Sequence, residues 1–151
     1  MRAALRLLFL VPIGFVLATF AAALALLWPF LAIPPGGFAD PFVLIELTVG
    51  FTAQAVQIGS AAFVPFLLFV ALAEILAIRS LLLHLGAGLL AGFVSTRLAP
   101  VVPEVSVQTA SVTAGLAFAL VYWIVAGRTA GRPRRRPVPA PPPPHPPPHP
   151  E

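Results

Sequence analysis

The chain alternates long apolar stretches with short polar or proline-glycine breaks, the stretches covering 5–33, 41–78, 80–99 and 105–126. Charge is almost absent inside them. About 20 helical residues cross a hydrocarbon layer roughly 30 Å thick. In lipid a backbone must satisfy its own amides, so stretches of this kind must be helical. The pattern predicts an all-α integral membrane protein, a four-helix bundle, with a disordered proline-rich C-terminal tail. The membrane domain is expected over 1–128 and the basic tail over 129–151.

The first stretch opens on Arg2 and Arg6, which imitates a signal peptide. A secretory apolar core runs about 7–15 residues. Here it continues past Trp28 to Ile33, so an uncleaved span is expected, ended by Pro34-Pro35-Gly36-Gly37. The second stretch starts with Asp40 as a carboxylate cap and Pro41 at the first helical position. Nothing clearly stops a helix before Ile78, and about 38 residues would reach about 57 Å, nearly twice the hydrocarbon thickness. Glu46, Thr48, Thr52, Gln54 and Gln57 crowd its first half. One long or broken helix is therefore expected, with 41–57 as an interfacial helical extension and 57–78 crossing, any kink falling at Gly59 or Pro65. In a five-span alternative, 41–57 crosses by itself.

The short turn at Ile78-Arg79-Ser80 predicts a tight antiparallel hairpin of the second and third spans, with Ser80 as N-cap of the third. Arg97, Pro100 and Pro103 close that helix. Glu104 and Ser106 open the fourth, which ends at the aromatic pair Tyr122-Trp123. Small residues recur every four positions: Gly14, Ala18 and Ala22; Gly88 and Gly92; Ser111, Gly115 and Ala119. Helices in lipid associate through such stripes, because no hydrophobic drive pushes them together. Packing within the chain is the expected use, with homo-oligomerisation through the Gly88/Gly92 face as the alternative.

Composition sharpens the class. Of 151 residues 59% are hydrophobic and 9% charged, and mean hydropathy is +0.98, whereas a soluble domain carries about a quarter charged residues. The net charge of +4 could signal nucleic acid, but Arg128, Arg132, Arg134, Arg135 and Arg136 all follow the last apolar stretch. That placement fits anionic lipid headgroups, not nucleic acid. With four spans, eight arginines fall on one side and only Arg97 on the other, which predicts cytoplasmic termini in a bacterial inner membrane. The absence of cysteine removes disulfides and thiolate metal sites. No cofactor is expected. The expected partners are the bilayer itself and a homo-oligomer or larger membrane complex.

Glu74 and His84 carry the only chemical hint. They lie about one turn before and after the hairpin, and ionisable groups in lipid usually face a partner or water. One reading makes them a proton or substrate pair; the other has Glu74, Arg79 and His84 tie the hairpin together. Glu46 reads as a solvated interfacial residue. Thr109, Ser111 and Thr113 can bond their own helix carbonyls. No nucleophile–base pair or metal set appears, so a non-enzymatic membrane component or accessory subunit is expected. The alternative is a small transporter or channel subunit acting as an oligomer. In the tail, Pro133–Glu151 holds 11 of the 19 prolines. His145 and His149 would lie about 12 Å apart in polyproline II, too far to share a metal readily.

The stretches Arg79-Ser80-Leu81-Leu82-Leu83-His84-Leu85-Gly86-Ala87-Gly88 and Val121-Tyr122-Trp123-Ile124-Val125-Ala126-Gly127-Arg128 resemble small uncharacterised multi-pass inner-membrane proteins of GC-rich alphaproteobacteria. The resemblance covers about the second half of the chain. It implies class and location, and no activity.

Overall fold

Helix starts and stops follow from local chemistry. The computed structural model describes residues 6–33, 35–100 and 103–129. Arg2, the arginines at 132 and 134–136, and the tail histidines lie outside the described residues. Four α-helices are present and no strand occurs among the described residues: α1 Val11–Leu27, α2 Pro41–Ile75, α3 Leu81–Arg97 and α4 Val105–Val125. A π-helical turn, Arg6–Leu10, leads into α1. Three helical runs are long and apolar enough to cross a membrane: Leu8–Phe30, Pro41–Ile75 and Val105–Val125. The third helix is shorter than expected at 17 residues, about 26 Å.

The first helix also stops before the proline-glycine cluster that was expected to end it. Pro29 cannot continue the α-helical ladder, and the chain tightens into a 3₁₀ turn at Trp28–Phe30 before becoming extended at Leu31. Gly36 then takes a left-handed conformation, φ 79°, open to glycine without steric cost. Asp40 caps α2 as expected, accepting from the Phe42 amide at 2.9 Å. The helix then runs unbroken for 35 residues through Pro65. Of the two forms expected, one long helix or a broken one, the long helix is found.

The end of α2, where no glycine or proline marks a stop, has a backbone explanation. Ala77 adopts φ 52°; the Ile78 amide donates to the Ala73 carbonyl at 2.8 Å and the Ala77 amide to Glu74 at 3.4 Å. This is the paired closure of a Schellman motif, formed here with alanine in the position that glycine usually takes. The left-handed alanine costs roughly 1 kcal/mol, and closure of the orphan carbonyls offsets it.

Neighbouring helices run antiparallel, and α4 occupies the middle. It packs extensively on both α1 and α3, while α2 packs mainly on α1. The tight hairpin expected between α2 and α3 is not the arrangement found: their backbones scarcely approach. The physical reason is the glycine face of α3, which draws that helix onto α4. Aromatic rings fill the junction of α1, α2 and α4, with Phe15 tilted against Phe66 at 4.6 Å and Phe66 edge-on to Tyr122 at 4.8 Å.

Candidate functional site

His84, Gly88, Gly92 and Thr96 are spaced four apart and all buried, so one face of α3 carries them all. That face meets α4. A methyl group on Gly88 would collide with the Gly115 carbonyl oxygen, and one on Gly115 would collide with that of Gly88. At Gly92 it would come within 2.5 Å of the Ser111 oxygen and 2.8 Å of the Val112 Cα. The two backbones therefore touch. The stripe of Gly14, Ala18 and Ala22 is likewise buried, and a Cβ at Gly14 would meet Tyr122, Val125 and Ala126 at 3.3–3.4 Å. All three expected stripes are thus used inside the chain, and the Gly88/Gly92 face is not available to a second copy.

Among the described residues His84 is the largest side chain that is fully buried, with 2% of its surface exposed. Its Nδ1 lies 2.9 Å from the Ser80 carbonyl oxygen. A carbonyl can only accept, so Nδ1 carries the proton and, in the neutral ring, Nε2 is a bare lone pair. Nε2 has no hydrogen-bond partner. The ring stands edge-on to Phe69 at 5.1 Å and stacks on Tyr122 at 6.1 Å. Gly127 closes the remaining side, where a Cβ would sit 2.9 Å from Nε2 and 3.0 Å from Trp123. The Trp123 indole N–H in turn donates to the Arg79 carbonyl at 2.9 Å, locking the turn before α3 to the end of α4.

Of the expected cluster of Glu74, Arg79 and His84, the structure settles the hydrogen bonding of the histidine. Nδ1 is bonded to Ser80 and Nε2 to nothing, so His84 is not hydrogen-bonded to Glu74. It turns toward α4 because it shares the register of Gly88 and Gly92. Glu74 is half-buried on α2 and Arg79 is exposed in the turn. Ser80 occupies the N-cap position without capping through its side chain; its contribution is the carbonyl that holds His84. Gly127 and Trp123 were not foreseen as members of this site. The signal for His84 was present, since it stands four residues before the first glycine of the stripe.

The hydroxyls behave as helix-internal groups. Thr109, Ser111 and Thr113 donate to the carbonyls four residues earlier. Arg128 is exposed in the 3₁₀ turn after α4. No group of three metal-ligating side chains forms among the described residues. The two stretches at 79–88 and 121–128 meet in space through Trp123–Arg79, His84–Tyr122 and His84–Gly127. No protein-family model matches the chain, and no curated protein or solved structure is significantly similar to it.

Proposed function

We propose that this chain is a small multi-pass protein of a bacterial inner membrane, a four-helix bundle with cytoplasmic termini, serving without catalysis as a component or accessory subunit of a larger membrane complex. The observation that carries the reading is the free flank of α2. Ala53, Gln57 and Ala61 recur every four residues on that helix and all are exposed. Acyl chains gain little from small side chains and leave a Gln amide unsatisfied. A neighbouring helix can approach closely and bond it. The orientation is supported by the start of α1, the turn at Arg79 and the end of α4 lying at one end of the molecule, since these carry the arginines near the helices. Similarity to the alphaproteobacterial inner-membrane proteins is part of the same proposal.

Two measurements test it. Extraction from native membranes in mild detergent should yield an assembly heavier than the chain alone, with a photo-crosslinker at Gln57 labelling a second polypeptide and one at Leu82 labelling none. A chain that migrates by itself and crosslinks from neither site overturns the accessory role. Periplasmic reporter fusions should be active at Gly37 and Val102 and silent at Arg79 and Gly131; activity at Gly131 overturns the topology.

A second reading, a transporter or channel subunit using Glu74 and His84 in an oligomer, is favoured by one observation: the bare, buried Nε2 of His84. It requires Glu74→Gln or His84→Asn to abolish the cellular function at normal protein abundance. Mild effects that follow protein abundance exclude it.

A further inference from the structure

A cavity of about 350 Å³ opens between the end of α1 and the start of α2. Leu27, Leu31, Ile33, Leu47 and Phe51 give it apolar walls, and Glu46 is its only ionisable lining residue. Glu46 is exposed and makes no hydrogen bond or ion pair with any described residue. Asp40, which caps α2 nearby, is already committed to the Phe42 amide. Gly50, one turn beyond Glu46, leaves the floor open: nothing lies within 4 Å of the place a Cβ would take. Above the cavity α1 has unwound, and no described amide donates to the carbonyls of Leu31, Ala32 or Ile33. Trp28, Phe38 and Phe42 are exposed around the same end, in the manner of side chains at headgroup depth.

Apolar walls beside one uncommitted carboxylate and free carbonyl oxygens define a ligand chemistry. The ligand needs hydrogen-bond donors with positive charge at one point and an apolar body attached to it. Pockets that combine apolar walls with a few placed polar groups bind in this way. We infer that this cavity binds a primary ammonium group carried on an apolar chain, with Glu46 receiving the ammonium. Two sources offer that chemistry, an aminophospholipid and a free long-chain amine. The inference rests on the membrane reading only in bringing lipid headgroups to the cavity, so loss of the topology above would leave amine binding at Glu46 standing.

The test uses the full chain, purified in detergent and examined by native mass spectrometry with added dioleoyl phosphatidylethanolamine, dioleoyl phosphatidylcholine, dioleoyl phosphatidylglycerol or dodecylamine. Phosphatidylcholine has the same chains and a positive charge but no N–H, and phosphatidylglycerol has no amine. Phosphatidylethanolamine should bind about tenfold or more tightly than either, the size expected for charge-assisted hydrogen bonds. Glu46→Gln should abolish that preference. Gly50→Leu, which fills the cavity and leaves the carboxylate in place, should reduce binding with a melting temperature at or above that of the wild type. Binding of dodecylamine with the same dependence on Glu46, without phosphatidylethanolamine, identifies the free amine as the source. Equal binding of phosphatidylcholine and phosphatidylethanolamine with no Glu46-dependent binding of dodecylamine, or undiminished amine binding in Glu46→Gln, overturns the proposal.

Discussion

The contact between α3 and α4 and the flank of α2 use glycine to opposite ends. In the first, Gly88, Gly92 and Gly115 bring two backbones into contact, and each lost side chain is the condition for the approach. On α2, Gly50 faces open space and leaves a cavity instead of closing one. The helices differ in the same sense: α3 is short and buries one continuous face, whereas α2 is twice as long and only 17% of its most apolar window is buried. In lipid, where apolar area alone does not hold helices together, close backbone approach supplies the dispersion contact that stabilises a pair. Stability should therefore reside in the α1–α4–α3 packing, and α2 should be the element free to meet something else.

The largest effect is expected where the two backbones touch. Gly115→Leu places a branched side chain against the Gly88 carbonyl, and overpacking of this kind costs about 1–3 kcal/mol or more. Folded protein should be lost, read as disappearance of the cooperative melt in detergent; a wild-type melt would remove α3 from the account. An intermediate effect is expected at Gly127→Ala, whose methyl would press on His84 and Trp123. A loss of about 1 kcal/mol is predicted, at the low end of overpacking costs because side chains and not backbone must yield. His84→Ala in the same chain should remove most of that penalty, which a thermal-melt double-mutant cycle would show. The smallest effect is expected on the other side of the comparison: Gly50→Ala should be neutral or gain up to about 1 kcal/mol from helix propensity. A clear loss there would show that the flank of α2 is packed.

Much of this architecture was legible in the residues. Asp40-Pro41 fixed the start of α2, and the small-residue stripes named the faces by which α1, α3 and α4 pack. The end of α2 was not legible, because Ala77 closes it in a left-handed conformation that no residue type signals. The partner of α3 was misread for a different reason. A short turn constrains chain connectivity, not which faces meet, and the glycine register outweighed proximity along the chain. His84 bonds the Ser80 carbonyl and packs against Tyr122 of α4 and Gly127. Its four-residue offset from Gly88 carried the information, while Gly127 became recognisable only once the ring it accommodates had been placed. Glu46, expected as solvated, is exposed, and the cavity beside it depends on the unwinding of α1 after Leu27, which puts Leu31, Ala32 and Ile33 on its wall.

Direct backbone contact through glycine holds α3 on α4, and α3 supplies its own control. Gly86 and Gly88 lie on the same helix, two residues apart, but a Cβ at Gly86 would meet nothing within 4 Å. The measurement is thermal unfolding of Gly86→Ala and Gly88→Ala, side by side in the same detergent. Gly88→Ala should lose about 1–3 kcal/mol while Gly86→Ala melts at or slightly above the wild-type temperature. Equal melting temperatures for the two variants, or a larger loss at Gly86, would contradict it.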